Sequence, residues 1–283
     1  MQSFTGKVGV VTGAGSRIGL ALAERLATEG MKLVVADIEA EALARVEANL
    51  RSRGTEVLAV QLDVSQADEV EALAERTVAT FGGVHVVCNN AGVAVGKTTW
   101  ESTVADWAWV LGVNLWGVIH GVRAFVPRML DGGDEGHIVN TGSVAGLTVS
   151  GFKPSYDVSK FGVVALSESL YHELNAIGAR IGVSVLCPGP VSTQIMESGR
   201  NRPGRVENDA VLGMAGYRPE AVTYFERLGT VVKQGTPPAE IAEQVFQAIR
   251  QGRFYILPHP EYDDRIRARM ESILERRNPP TRN

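Results

Sequence analysis

Residues 7–19 read KVGVVTGAGSRIG, an apolar run followed by a turn with glycines at positions 13, 15 and 19. The next residues, LALAERLATEG, have the apolar spacing of an amphipathic helix. A glycine-rich turn between a strand and a helix lets the backbone approach a pyrophosphate, and the helix start supplies free N–H groups with partial positive charge. Taken alone, the stretch fits both a phosphate-binding turn and a plain tight turn.

An acidic residue supports the first interpretation. The second apolar run, KLVVAD, ends in Asp37, near the ~20-residue offset at which a carboxylate binds the adenosine ribose. A carboxylate there accepts hydrogen bonds from a 2′-hydroxyl and repels a 2′-phosphate. The pair therefore favours NAD(H), with NADP(H) as the alternative. The competing interpretation is a helix cap, since Asp37 precedes IEAEALA and Asp is a good N-cap.

The composition narrows the class of protein. The chain has 283 residues, of which 45% are hydrophobic and 21% charged, and its net charge is −4; we expect no nucleic-acid or membrane partner. The N-terminus has no signal-peptide pattern, and no apolar run approaches the ~18 residues that span a bilayer.

Cys88 and Cys187 end predicted buried strands and are expected to be reduced thiols in a cytoplasmic protein, with a disulfide as the less favoured reading. The five histidines lack paired metal-ligand spacing, so we predict no metal site.

Short β-branched runs alternate with longer amphipathic stretches along the chain. This order predicts an α/β fold: one Rossmann-like, doubly wound parallel sheet of seven strands, flanked by helices on both faces in a single domain over 1–283. The predicted strands are 7–12, 32–37, 56–62, 84–89, 136–141, 180–187 and 254–257, and one predicted helix covers 39–53. The long stretch 191–235 is expected to be a substrate lid, and 254–277 a C-terminal strand and helix.

Four polar residues in the second half of the predicted domain form a candidate catalytic set. Asn114 lies in a helix pattern, Ser143 follows the fifth strand, and Tyr156 and Lys160 open the next helix in YDVSK. Tyr156 and Lys160 are four residues apart and share one helix face. A nearby ammonium would lower the pKa of a tyrosine from ~10 and make it a usable acid–base group. Ser143 could bind the same substrate oxygen.

Taken in order, the motifs identify a known family. The glycine turn, Asp63-Val64, NNAG at 89–92, Asn114, Ser143, Tyr-x-x-x-Lys and PGPVST at 188–193 make the chain up to about Thr193 resemble the short-chain dehydrogenase/reductase family. The resemblance implies that Lys160 also holds the nicotinamide ribose and that Asn114 anchors a water in a proton relay. It implies a cofactor-binding set of Gly13, Gly15, Ser16, Arg17, Ile18, Gly19, Asp37, Asp63, Val64, Asn90, Ala91, Gly92, Tyr156, Lys160, Pro188, Gly189, Val191 and Thr193.

One residue departs from the family pattern. Arg17 stands where most members have glycine. A position with positive φ would strain an arginine by ~1 kcal/mol, whereas a first helical turn would tolerate it. Its charge lies near the diphosphate in either case. The departure therefore bears on cofactor affinity and on the choice between NAD(H) and NADP(H).

The resemblance also implies a substrate and a partner. Mostly apolar walls predict a hydrophobic secondary alcohol or ketone; the expected wall residues are Val93, Ala94, Val95, Val144, Ala145 and Phe152, with lid residues Ile195, Met196, Leu212, Met214 and Tyr217. Family members commonly form tetramers through the C-terminal strand and helix and through the helices that carry Asn114 and Tyr156, so we expect a homotetramer or homodimer. Two alternatives stay open: an epimerase or dehalogenase on this fold, and a dinucleotide-sensing regulator.

Overall fold

A computed structural model describes residues 1, 3–204 and 218–280. Its seven strands pair in parallel in the order β3-β2-β1-β4-β5-β6-β7. The strands are β1 (Val8–Thr12), β2 (Lys32–Asp37), β3 (Val57–Gln61), β4 (Val86–Asn89), β5 (Gly136–Thr141), β6 (Ile181–Leu186) and β7 (Tyr255–Ile256). The chain winds outward from β1 to β3 and returns to place β4 beside β1. Ligands of such sheets bind where the winding reverses, beyond the carboxyl ends of the strands.

Helices connect the strands and cover both faces of the sheet. They are α1 (Arg17–Thr28), α2 (Ala40–Ser52), α3 (Ala67–Phe81), α4 (Val104–Leu111), α5 (Gly117–Gly132), α6 (Pro154–Ala176), α7 (Pro219–Lys233), α8 (Pro238–Gln251) and α9 (Asp263–Leu274). A π-helical turn, Gly112–Trp116, joins α4 to α5. The predicted doubly wound, single-domain fold is confirmed, with the predicted helix 39–53 observed as α2.

The strands are apolar throughout because both of their faces are buried. In β1 and β2, Val11 and Val35 join the core beneath α1 and α8, whereas Val10 and Val34 join the core on the other face, beneath α3 and α5. All four side chains are fully buried. Two covered faces leave no polar side of the strand to alternate with the apolar one.

The helical segment Val104–Gly132 is the one in the described part of the chain that is long and apolar enough to cross a membrane by length and composition. The sequence analysis had expected no such stretch. Here the segment packs in the domain core, where Val110, Val118 and Phe125 are buried. Core helices of this kind commonly pass the same test.

The two cysteines are buried and unbridged. Burial raises the pKa of both the Cys88 and the Cys187 thiol to about 12. A thiol held protonated is a poor nucleophile. Both residues therefore act as small core side chains, as predicted.

Candidate active site

The turn after β1 has room for backbone only. Gly13 has φ +64, and a Cβ added there would lie 2.8 Å from the Ala91 Cα. A Cβ on Gly15 would lie 2.8 Å from Asp37 Oδ2, and one on Gly19 would lie 2.0 Å from the Gly13 carbonyl oxygen. Each glycine thus permits a close approach within the protein, and together they bring the start of α1 against the turn.

Arg17 has both features that the sequence analysis considers as alternatives, a position in the first helical turn and a positive φ. It is the first residue of α1, and it has φ +51, in the left-handed region that favours glycine. Its side chain is exposed and forms no salt bridge with any residue that the structure describes. The backbone strain is therefore present, while the guanidinium stays outside the turn.

Asp37 joins the glycine turn to α2. Its Oδ2 accepts a hydrogen bond from the Gly15 amide at 2.7 Å, and its Oδ1 accepts one from the Glu39 amide at 2.9 Å. Burial raises the pKa of Asp37, and these amide hydrogen bonds oppose that shift. The residue preceding α2 as its N-cap is Glu39 rather than Asp37. Asp37 therefore orders the start of α2 without capping it and still faces the main cavity.

One continuous cavity of about 1620 Å³ runs from this turn to the candidate catalytic set. Nearly all predicted site residues line it: Gly13, Ser16, Arg17, Ile18, Gly19, Asp37, Asp63, Val64, Asn90, Ala91, Gly92, Ser143, Tyr156, Lys160, Pro188, Gly189, Val191 and Thr193. Gly15 and Asn114 are the two predicted residues that do not line it. The volume and the closely packed glycines fit a dinucleotide together with a small substrate.

Asn114 lies in the π-helical turn, fully buried. Its Oδ1 accepts a hydrogen bond from the Val93 amide at 2.8 Å, and its Nδ2 donates to the Val93 carbonyl at 2.9 Å and to Ser159 Oγ at 3.1 Å. A Cβ added to Gly92 would lie 3.5 Å from Asn114 Oδ1 and 3.8 Å from Lys160 Nζ. The side chain thus fixes the loop after β4 beside Lys160. Its role in a water relay stays a prediction.

Ser143, Tyr156 and Lys160 meet at the carboxyl end of β5. Ser143 Oγ accepts a hydrogen bond from the Ala145 amide at 3.1 Å, and its interaction with Tyr156 acts to lower the pKa of that residue. The Lys160 Nζ lies 5.6 Å from the centre of the Tyr156 ring and donates to the Thr141 carbonyl at 2.8 Å. The structure therefore brings these three predicted side chains together.

The pKa values of Tyr156 and Lys160 differ from those that the sequence predicts. Burial raises the pKa of Tyr156 to about 12, although the Ser143 hydrogen bond opposes it. Burial also lowers the pKa of Lys160 to about 8. The expectation of a lowered Tyr156 pKa is therefore wrong in direction. Desolvation penalises the charged forms of both residues and is the largest cause of each shift.

The sequence analysis missed a histidine that supports the PGPVST loop. His259 is buried; its Nδ1 accepts a hydrogen bond from the Gly189 amide at 2.9 Å, and its Nε2 lies 3.0 Å from the Pro190 carbonyl. The amide requires Nδ1 to be unprotonated, so Nε2 carries the proton. A Cβ on Gly189 would lie 2.9 Å from the Tyr262 ring. The C-terminal segment therefore holds the loop in place. No local sequence pattern predicts this contact.

The substrate end of the cavity is mainly apolar. Of the expected walls, Val93, Ala94, Val144, Ala145, Phe152, Ile195 and Met196 line it. Val95 is instead buried in the core. The lid candidates Leu212, Met214 and Tyr217 lie outside the described residues.

Helix α7 adds aromatic side chains that the sequence analysis did not select. The Tyr224 ring lies 5.6 Å from that of Phe152, and its hydroxyl lies 2.9 Å from Ser150 Oγ. Phe225 packs so closely on Gly96 that an added Cβ would lie 1.8 Å from the ring. Phe152 itself has φ +69, a strained backbone for an aromatic residue. These contacts hold α7 against the mouth of the cavity.

The residues that the structure describes contain no group of three or more His, Cys, Asp or Glu that could hold a metal ion. The polar groups along the cavity include the Asp37 carboxylate beside the glycine turn at one end and the Ser143, Tyr156 and Lys160 side chains at the other. This donor set suits a dinucleotide and a carbonyl or hydroxyl group.

Known proteins resemble this chain along its whole length. A family model described as short chain dehydrogenase matches residues 7–203. The chain is 33% identical over 275 residues to a CLA biosynthesis dehydrogenase/reductase of Lactiplantibacillus plantarum, with 97% of this chain and 95% of that protein covered. It is 31% identical over 276 residues to a C alpha-dehydrogenase of a Sphingobium species, with 97% and 88% covered. A crystal structure of a short-chain dehydrogenase/reductase from Burkholderia phymatum in complex with NAD matches with a TM-score of 0.94 and 45% identity, covering 100% of this chain and 99% of that one. The chain therefore belongs to the short-chain dehydrogenase/reductase family of oxidoreductases.

Proposed function

We propose that this protein uses NAD(H) to interconvert a hydrophobic secondary alcohol and the corresponding ketone. The observation that carries the proposal is the single cavity that joins Asp37 and the glycine turn to Ser143, Tyr156 and Lys160. The glycine turn and Asp37 would hold a dinucleotide at one end of this cavity, and Ser143, Tyr156 and Lys160 would meet the substrate at the other. The apolar walls at that end support a substrate with an apolar substituent.

The proposed chemistry divides between cofactor and chain. The nicotinamide supplies or accepts the hydride. Tyr156 gives its proton to the ketone oxygen in reduction and takes a proton from the alcohol in oxidation. The Ser143 hydroxyl holds the substrate oxygen beside Tyr156. Lys160, held by the Thr141 carbonyl, positions the ribose and supplies positive charge when protonated.

Asp37 supports NAD(H) over NADP(H). Its two carboxylate oxygens are fixed by the amides of Gly15 and Glu39. A 2′-phosphate at this ribose would face that fixed negative charge. The crystal structure from Burkholderia phymatum, which contains NAD, supports the same choice for this chain.

The test is a spectrophotometric scan of NADH formation and use with a panel of secondary alcohols and ketones. We expect turnover with apolar members of the panel, and Tyr156→Phe should lose about 10²–10⁴-fold in kcat while it still binds NADH. Dinucleotide binding without turnover of any panel member would favour the sensor alternative. Near-normal kcat in Tyr156→Phe would refute the assigned acid–base role.

We further propose a cytoplasmic homotetramer or homodimer with a substrate lid within residues 191–235, of which 205–217 lie outside the described residues. Trp116 and Val158 are half exposed on the helical segments that carry Asn114 and Tyr156. Apolar surface of this kind supports contact with a second copy. Light scattering coupled to size-exclusion chromatography tests this, and a monomer at micromolar concentration would contradict it.

A further inference from the structure

Residues 194–202, here called the strap, lie across the cavity between its two ends. The strap contains a 3-10 segment, Ile195–Asn201. Ile195 and Met196 line the substrate side of the cavity, and Arg200 and Asn201 line it beside Asp37 and Glu39. One short segment therefore borders both the substrate pocket and the expected adenosine-ribose subsite.

Arg200 and Asn201 of the strap are held by one carboxylate oxygen. Glu39 Oε1 accepts hydrogen bonds from Arg200 Nε at 2.9 Å and from Asn201 Nδ2 at 2.8 Å, and the second Arg200 nitrogen lies 2.8 Å from the same oxygen. Burial disfavours the Glu39 carboxylate, but the bonds from Asn201 and Arg200 hold its pKa below the ordinary value. Three charge-assisted contacts to one oxygen make a defined attachment point rather than a loose surface pair.

Glu39 is also tied to the ribose side of the site. Its amide donates to Asp37 Oδ1 at 2.9 Å, and Asp37 in turn accepts from the Gly15 amide of the glycine turn. The attachment of the strap is thus two residues from the carboxylate expected to bind the ribose. Movement of the strap away from Glu39 would uncover that subsite.

Ser198 and Arg202, on either side of Arg200 and Asn201, fix the strap to other parts of the chain. Ser198 is buried, and its Oγ accepts a hydrogen bond from the Ala94 amide at 2.9 Å. Arg202 lies 2.6 Å from the fully buried carboxylate of Asp106, which Lys97 also contacts at 3.0 Å. These contacts fix the strap on both sides of Arg200 and Asn201, through the buried Ser198 and Asp106 side chains. The Glu39 contact between them is half exposed.

We propose that Glu39 is a positioning residue that binds Arg200 and Asn201 and so holds the strap over the adenosine-ribose subsite, retaining the cofactor while the same strap walls the substrate pocket. This inference rests on the proposed use of NAD(H). Glu39, the N-cap of α2, would thus help to retain the cofactor by binding Arg200, which lies 161 residues away in the sequence. The hydride and proton transfers themselves do not involve Glu39.

The test measures NADH dissociation from the full-length protein by stopped-flow fluorescence. Arg200→Ala and Glu39→Gln should each raise the dissociation rate about five- to tenfold, equivalent to about 1.0–1.4 kcal/mol. The double variant should dissociate no faster than the more affected single variant, because both changes open the same contact. The single-turnover rate with bound cofactor should change less than about twofold.

Arg45→Ala is the matched control. Arg45 lies on α2, is exposed, and adds positive charge near Glu39 without belonging to the strap. It should leave the dissociation rate within about twofold of wild type, since no strap contact is lost. A rate change in Arg45→Ala equal to that in Arg200→Ala would mean that charge alone matters and would overturn the proposal.

Amide hydrogen exchange of residues 194–202 in the free protein separates the possible failures. Faster exchange in Arg200→Ala with a faster NADH dissociation supports the proposal. Unchanged dissociation in both single variants, or multiplicative effects in the double variant, would overturn it while leaving NAD(H) use intact. If Glu39→Gln binds NADPH more tightly than wild type does and its affinity for NADH is unchanged, Glu39 acts by repelling the 2′-phosphate. That result would overturn the retention role. Failure of the wild type to bind any dinucleotide would overturn the proposed function and this role together.

Discussion

Replacing Arg17 with glycine should stabilise the protein. Arg17 has φ +51, and the left-handed region costs a non-glycine residue about 1–2 kcal/mol. Glycine removes that strain from the folded state, but its greater chain entropy stabilises the unfolded state by about 0.5–1 kcal/mol. The free energy of unfolding should therefore rise by about 0.5–1 kcal/mol, which corresponds to about 1–4 °C in Tm for a domain of this size. Denaturant and thermal unfolding measure both quantities.

The same variant should retain cofactor binding. The amide at position 17 remains, so the backbone groups that face a diphosphate are unchanged, and only an exposed positive charge is lost. The NADH Kd should therefore change by less than about tenfold, or about 1.4 kcal/mol. The salt dependence of NADH binding should weaken, because one screened attraction to the phosphates is gone. Titration by calorimetry at two ionic strengths checks both.

Arg276→Gly is the control for this variant. Arg276 is exposed beyond the end of α9 and has φ +56. It should give a similar stabilisation with no change in NADH affinity. The reasoning is refuted if Arg17→Gly is less stable than wild type while Arg276→Gly is more stable. It is also refuted if the glycine at 17 turns a protein that binds no dinucleotide at millimolar concentration into one that binds at micromolar concentration.

Three further changes test the site. Asp37→Ala should lower the ratio of kcat/KM with NADH to that with NADPH; a wild type that already prefers NADPH would contradict the role of Asp37. Lys160→Met tests the effect of burying the Lys160 ammonium, which lowers its pKa from 10.5 to about 8. The unfolded state then binds more protons between these values, so wild-type stability measured by denaturant should rise with pH across that window, by up to about 3 kcal/mol relative to the variant; a parallel pH dependence would contradict the shift. Gly96→Ala should displace the Phe225 ring, which lies 1.8 Å from the added Cβ, and raise the substrate KM more than the NADH KM; unchanged KM values would show that α7 does not wall the substrate pocket.

Much of the fold was accessible from the sequence because its signals are local. Strands buried on both faces need continuous apolar runs, and each of the seven predicted runs contains an observed strand. The glycine turn was equally accessible, since the close approaches of Gly13 and Gly19 require the residue type itself. Spacing also placed Tyr156 and Lys160 on one helix face.

What the sequence could not supply depends on contacts between distant segments. The Glu39–Arg200 bond and the His259–Gly189 bond join residues 161 and 70 positions apart, and no local pattern marks either. The positive φ of Phe152 follows from its docking against α7 and the loop after β4, where its carbonyl accepts from the Lys97 amide at 2.8 Å. The direction of the Tyr156 pKa shift failed for the same reason, because burial is a property of the assembled domain.

The pKa shifts of Tyr156 and Lys160 favour one direction of the proposed reaction near neutral pH. With its pKa raised to about 12, Tyr156 is a phenol ready to donate a proton to a ketone, whereas acting as a base requires a phenolate. Lys160, with its pKa lowered to about 8, is mostly protonated at neutral pH and loses its charge as the pH rises through that value. We therefore expect kcat/KM for ketone reduction to stay level between about pH 6 and 7, and kcat/KM for alcohol oxidation to rise with pH by up to about tenfold per unit. Steady-state rates in both directions across this range provide the measurement. A reduction rate that already falls between about pH 6 and 7, below the pKa of Lys160, would show that Tyr156 ionises there, and that its pKa in the working enzyme is set by charge rather than by burial.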